Sequence, residues 1–190
     1  IVGYKDPEAP EKYHGAWSNA VACIVVPWLE KPKAVIEGFT IRDGACCSPA
    51  DIDSNSCHNN GGAFAWYIAE KKDQAPNFHL IACAISNCVG RLGICNSCTL
   101  HRCLVTRNIA IGNTGGTRSG AGLGYGRAEN TLFIENIGND SVFASSLVNC
   151  LVTGTRGDNY GVERVDAYNS IYAGNYIDWD EAYKNAATCF

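Results

Sequence analysis

Cys103-Leu-Val-Thr-Arg-Asn108 and Cys150-Leu-Val-Thr-Gly154 are two copies of one pattern, and four further segments align with them without gaps. These are Phe39-Thr-Ile-Arg-Asp-Gly44, Cys83-Ala-Ile-Ser-Asn87, Thr131-Leu-Phe-Ile-Glu-Asn136 and Ser170-Ile-Tyr-Ala-Gly-Asn175. Successive starts lie 44, 20, 28, 19 and 20 residues apart. The longest gap is expected to hide one intervening copy with a long loop. Position one is small or apolar and position three is apolar, the period of two expected of a strand with one buried face. Asn130, Asn149 and Asn169 immediately precede three of the copies. Asn or Gly also follows most of them, and both residues accept the left-handed backbone of a tight bend.

A period near 20 residues is too short for a strand, a crossover helix and a return. It fits one coil of two or three short strands. Stacking such coils pairs each strand with its copies above and below, about 4.8 Å apart. The expected fold is all-β: a right-handed parallel β-helix, or solenoid, of six to eight coils, roughly 30–40 Å long on that spacing. A β-sandwich of coincidentally similar strands is the competing arrangement. The solenoid stacks Phe39, Cys83, Cys103, Thr131, Cys150 and Ser170 inside one core. It also places Asn108, Asn136 and Asn175 at equivalent bends, where their amides can form a hydrogen-bonded ladder. One domain accounts for the length, with residues 1–19 an extended lead-in, 20–175 the coils and 176–190 a short irregular or helical terminal segment. Asp178 is a candidate cap for that segment.

The pattern Asn-Cys-Leu-Val-Thr-x-Asn resembles the right-handed parallel β-helix repeat proteins of the pectate-lyase-like superfamily, especially the Gly- and Cys-rich repeat proteins of bacterial surfaces. The Gly-rich stretches Gly61-Gly-Ala-Phe-Ala-Trp-Tyr67 and Gly120-Ala-Gly-Leu-Gly-Tyr-Gly126 carry the same resemblance, as does Val35-Ile-Glu-Gly-Phe-Thr-Ile-Arg-Asp-Gly44 as an opening coil. It covers roughly residues 20–175 and implies a fold more than an activity, because lyases, hydrolases, adhesins and passenger domains share the scaffold.

Composition narrows the classes. An apolar content of 46% argues against disorder, and a net charge of −4 without a Lys/Arg run argues against nucleic acid as a partner. The longest apolar run, Ala20–Leu29, is broken by Pro27 and too short to span a bilayer. The chain has no Met and starts at Ile1, so it is expected to be a processed protein or a piece of a longer one. Eleven cysteines point to an oxidising compartment with disulfides, or to small apolar side chains packed in a narrow core. A mixture of the two is expected, at an extracellular or cell-surface address.

Candidate chemistry is sparse. Asp51, Asp53 and Asn55 alternate oxygen donors as calcium loops do, but Ser56 and Gly62 stand where such a loop needs Gly and Glu. Calcium is the one candidate cofactor, and a polar loop is the competing reading. Cys95, Cys98, His101 and Cys103 invite a zinc reading, as do Cys46, Cys47, Cys57 and His58, though neither spacing is that of a standard zinc site. Asp158, Glu163, Arg164 and Asp166 are the candidate catalytic set, of the kind lyases and glycosidases need. Asp178, Asp180 and Glu181 form a second acidic group. Trp66 and Tyr67 cannot both face inward on a strand, so one is a candidate for contacting a sugar or partner. Arg156-Gly-Asp158 is a receptor-type tripeptide, and the four histidines suggest no relay. The leading expectation is a non-catalytic structural or adhesive rod that binds glycans or a surface protein, or self-associates through its coil ends. A polysaccharide lyase or glycoside hydrolase is the alternative.

Overall fold

The computed structural model describes residues 1–11, 14–17, 19–26, 34–46, 62–66, 78–90, 93–96, 98–111, 120–138, 140–157 and 161–177. Those residues form a parallel β-helix of six coils. The first coil holds β1 (Ile24–Val26), β2 (Ala34–Glu37) and β3 (Thr40–Arg42). The second holds β4 (Phe64–Trp66), β5 (Phe78–Ile81), β6 (Ala84–Ser86) and β7 (Val89–Gly90). The third holds β8 (Gly93–Asn96), β9 (Thr99–His101), β10 (Leu104–Thr106) and β11 (Ile109–Ala110). The fourth holds β12 (Gly120–Gly124), β13 (Arg127–Glu129) and β14 (Leu132–Ile134), and the fifth β15 (Asp140–Phe143), β16 (Ser146–Val148), β17 (Leu151–Thr153) and β18 (Arg156–Gly157). The sixth holds β19 (Gly161–Glu163), β20 (Asp166–Tyr168), β21 (Ile171–Ala173) and β22 (Tyr176–Ile177).

Three six-stranded parallel sheets result. Face I stacks β1-β4-β8-β12-β15-β19, face II stacks β2-β5-β9-β13-β16-β20, and face III stacks β3-β6-β10-β14-β17-β21. A narrow fourth side is made of β7 with β11, β18 with β22, and bridges at Ala45, Ile109 and Ile137. Six coils at about 4.8 Å each give a stack roughly 25–30 Å tall.

Face III is the repeat itself. Ile41, Ile85, Val105, Phe133, Val152 and Tyr172 pair in one register, and all but the terminal Tyr172 are fully buried. Cys83, Cys103, Thr131 and Cys150, two residues before four of them, fill the adjoining inner corner. Their polar atoms donate to nearby carbonyls: Cys103 Sγ to Leu80 O at 3.2 Å, and Thr131 Oγ1 to Glu129 O at 3.0 Å. A small side chain with one weak donor therefore satisfies both the volume and the polarity of that corner. Across the core, Leu80, Leu100, Ala128 and Leu147 of face II and Cys95, Leu123 and Val142 of face I close the interior. The Gly-rich strand β12 is crowded: a Cβ on Gly122 would meet the Phe133 ring at 2.7 Å.

Single left-handed residues make the corners. Gly38, Ala82, Arg102, Asn130, Asn149 and Asn169 turn face II into face III, with φ between 49 and 76°. Asp43, Asn87, Arg107, Glu135, Gly154 and Gly174 turn face III into the fourth side. Asn and Gly hold this conformation at least cost. The Ala and Arg members show that stacking on neighbouring coils overrides the preference.

Four expectations need correction. The 44-residue gap contains no extra coil, because β3 pairs directly with β6; the surplus residues lie within a single enlarged coil. Phe39 is 52% exposed rather than inward, since the corner that holds Cys or Thr elsewhere is too small for a phenyl ring. Ser170 is only half-buried, being on the last coil. The repeat also runs past residue 175, as Tyr176 and Ile177 pair with Arg156 and Gly157. The lead-in has a defined role: Val2 pairs in parallel with Arg42 and lies along the first edge of face III.

Candidate functional site

Outward side chains of face II form two columns in register. One reads Val35, His79, Thr99, Arg127, Ser146 and Asp166, and the next Glu37, Ile81, His101, Glu129, Val148 and Tyr168. Period two puts them outside because Leu80, Leu100, Ala128 and Leu147 between them point into the core. A third column, at the corner, is Gly38, Ala82, Arg102, Asn130, Asn149 and Asn169.

The middle of this face is a charged cluster. The rings of His79 and His101 stack at 5.6 Å with 14° between their planes. His101 Nδ1 lies 3.2 Å from Glu129 Oε2, and Arg127 Nη2 lies 2.6 Å from Glu129 Oε1. Both carboxylate oxygens are thus engaged, which fixes the side chains that meet there. Arg102 and Glu37 sit more loosely at 3.9 Å on the exposed margin.

The C-terminal part of face II is different. The Asn149 amide donates to Asn130 Oδ1 at 3.2 Å, and the Asn169 amide donates to Asn149 Oδ1 at 2.6 Å. All three are exposed. Beside this ladder stands Tyr168, 75% exposed, with Asp166 and Ser146 in the neighbouring column. The arrangement offers an aromatic ring and evenly spaced amide donors and acceptors on a backbone held rigid by parallel pairing.

Of the expected catalytic residues, Glu163 and Arg164 meet each other and Asp166 lies on the adjoining face. Glu163 ends β19 on face I, and Arg164 is the left-handed corner residue after it. Arg164 Nε lies 3.5 Å from Glu163 Oε1, and its guanidinium sits 5.8 Å above the Phe143 ring. Phe143 packs edge-on against Tyr125, so Arg164 is held in a corner cluster. Asp166 lies beyond that corner, exposed on face II. Asp158, Tyr67 and the calcium candidates Asp51, Asp53 and Asn55 lie outside the described residues, as do Cys47, Cys57, His58, Asp178, Asp180 and Glu181. Trp66 ends β4 on face I, away from the face II columns.

The zinc reading at Cys95, Cys98, His101 and Cys103 fails on direction: the three cysteines are buried in the core, whereas His101 is on the outer surface. Among the described residues no group of three or more His, Cys, Asp or Glu is arranged to hold a metal ion. The eight described cysteines are free thiols. Among the described residues no helix is long and apolar enough to cross a membrane.

Sequence reasoning missed the His79, His101, Glu129 and Arg127 group. The signal was available, because His101 and Glu129 each stand two residues before an aligned repeat start, Cys103 and Thr131. Extending the alignment upstream by two positions superposes them. Comparison of the chain with protein-family models, with curated proteins and with solved structures gave no match.

Proposed function

We propose that this chain is a non-catalytic binding rod of the cell surface or extracellular space, whose working surface is the C-terminal half of face II and whose ligand is an uncharged glycan. The observation that carries the reading is the exposed Asn130–Asn149–Asn169 ladder with Tyr168 beside it. Tyrosine offers a flat face for the C–H groups of a sugar ring, and carboxamides pair with vicinal hydroxyls through one donor and one acceptor. The ladder holds the amides in place before a ligand arrives, which reduces the ordering cost of binding. Asp166 on the same face and the chain's net charge of −4 disfavour polyanions. The mutual engagement of Glu163 and Arg164 favours binding over the lyase or hydrolase alternative.

Titration calorimetry against neutral polysaccharide fragments, with a polyuronate as control, tests the reading. Tyr168→Ala should weaken neutral-glycan binding about tenfold, or ~1.4 kcal/mol, with the fold unchanged by circular dichroism. Equal affinity of wild type and variant would remove face II as the site. Reducing-sugar or unsaturated-uronate release that depends on Asp166 would replace the binding reading with the enzymatic one.

A further inference from the structure

The inner asparagine ladder of the fourth side changes chemistry at its N-terminal end. Pairing of Ala45 with Val89, Val89 with Ile109, Ile109 with Ile137, Ile137 with Arg156, and Arg156 with Tyr176 fixes the register. The residue before each of these is Gly44, Cys88, Asn108, Asn136, Thr155 and Asn175. Asn136 Oδ1 accepts from the Asn108 N–H at 3.1 Å, and Asn108 Oδ1 accepts from the Cys88 N–H at 2.9 Å. One coil earlier the ladder residue is Cys88 itself. Its sulfur donates to Ser86 O at 3.3 Å, and the residue stacks on Gly44 of the first coil, whose vacant side-chain place the Cys23 sulfur takes.

Cys23 immediately precedes β1 and is half-buried, whereas Cys88 is buried. In its thiol form Cys23 donates to Arg42 O at 3.2 Å. Room for its sulfur depends on Gly44, where a Cβ would stand 2.7 Å from Cys23 Sγ. The backbones of Gly3 and Gly44 hydrogen-bond the sulfur. A thiolate there is met by the Cys88 S–H and by main-chain groups that a side chain would have displaced. The Cys88 hydrogen bond, with main-chain bonds adding to it against burial, brings the Cys23 thiol down to about 7. The same contact, together with burial, pushes Cys88 up. Cys95 is fully buried against Cys98 and is raised by that contact and by burial, so it stays a thiol.

We propose that Cys23 and Cys88 are a hydroperoxide-reactive pair, Cys23 the nucleophile and Cys88 the resolving thiol, which closes into a disulfide joining the first coil to the second. The Cys23 thiolate attacks one oxygen of hydrogen peroxide, the O–O bond breaks, and hydroxide leaves and takes a proton to become water. The Cys88 sulfur then attacks the Cys23 sulfenic sulfur, the S–O bond breaks, and a second water departs with the Cys88 proton. Two thiols and one peroxide become one disulfide and two waters. Partial exposure, a hydrogen-bonded thiolate and an adjacent second thiol are the conditions under which such oxidation is selective.

The test treats the fully reduced chain with one equivalent of hydrogen peroxide, quenches with an alkylating agent in denaturant, and maps peptides by mass. A Cys23–Cys88 cross-linked peptide should appear first, with the other thiols alkylated. The Cys23 alkylation rate in the folded protein should rise with pH around a midpoint of about 7. Cys23→Ser should remove the fast oxidation. Cys88→Asn, which restores an amide acceptor at the ladder position, should keep the fold by circular dichroism and leave a Cys23 sulfenic acid that dimedone captures. A first cross-link between any other pair, or Cys23 reacting no faster than the thiols of the unfolded chain, overturns the proposal. Should Cys88→Asn not fold, the wild-type cross-link and the Cys23→Ser rate decide it.

Discussion

The molecule carries two asparagine ladders that run parallel to the stack and do opposite things. In the inner one, Asn108 and Asn136 are fully buried. Their amides accept main-chain N–H groups of the preceding coil and donate to Ile85 O and Val105 O. In the outer one, Asn130, Asn149 and Asn169 are exposed and bond mainly to one another. Residue type and the one-coil step between rungs are the same, yet the inner ladder replaces water for main-chain groups that turn through a corner, while the outer ladder leaves amide capacity facing solvent. Buried polar groups are costly when unpaired, so the inner ladder belongs to stability, and the outer one is the surface proposed above for recognition.

Removing a rung of the inner ladder should have the largest effect. Asn136→Leu leaves the Asn108 N–H without its acceptor inside the core and removes the amide donor to Val105 O, and should cost roughly 2–4 kcal/mol in urea unfolding. A loss no greater than that of an exposed substitution would abolish the contrast. The ladder is also interrupted by Thr155, whose buried Oγ1 has no hydrogen-bond partner. Thr155→Asn restores the amide between Asn136 and Asn175 and should raise stability by about 1 kcal/mol, read as a higher unfolding midpoint. The smallest change in stability belongs to the outer ladder. Asn149→Gly keeps the left-handed corner at φ 52° and deletes only the amide. It should alter stability by no more than about 0.5 kcal/mol while lowering glycan affinity several-fold in calorimetry. An outer rung that costs as much as an inner one would make both ladders structural.

The period of the chain was legible because a stacked coil repeats its inner demands. Cys83, Cys103, Thr131 and Cys150 share one corner of fixed volume, and Ile85, Val105, Phe133 and Val152 share one column, so the core left an imprint readable without coordinates. The ladder of Asn108 and Asn136 was legible for the same reason. Phe39 was misread because matching the repeat by polarity ignores volume, and the corner that takes a thiol or a hydroxyl does not take a ring. The 44-residue gap was misread because loop length between faces is unconstrained by the stack. Outer columns carry no shared demand, so His79, His101, Glu129 and Tyr168 looked scattered. What links them is the register set by the residues between them, which the repeat alignment carries only when it is extended upstream of each start. The placement of Arg164 was not legible either: its corner at φ 52° sets the guanidinium over the Phe143 ring, a neighbour twenty-one residues away in sequence.

The one-residue corners on either side of face III have an architectural consequence. In all six coils the passages from face II to face III, and from face III to the fourth side, are made without a loop. The longer stretches between strands, 27–33, 47–61, 67–77 and 112–119, enter or leave face I. Faces II and III therefore behave as a ruled surface of constant pitch, while face I absorbs every change in chain length. Duplicating a unit such as 131–149 would lengthen the ruler by one mark and leave the spacing of the others untouched. Inheritance by whole-coil copying, with novelty confined to the margins of face I, is the mode of variation this geometry tolerates best.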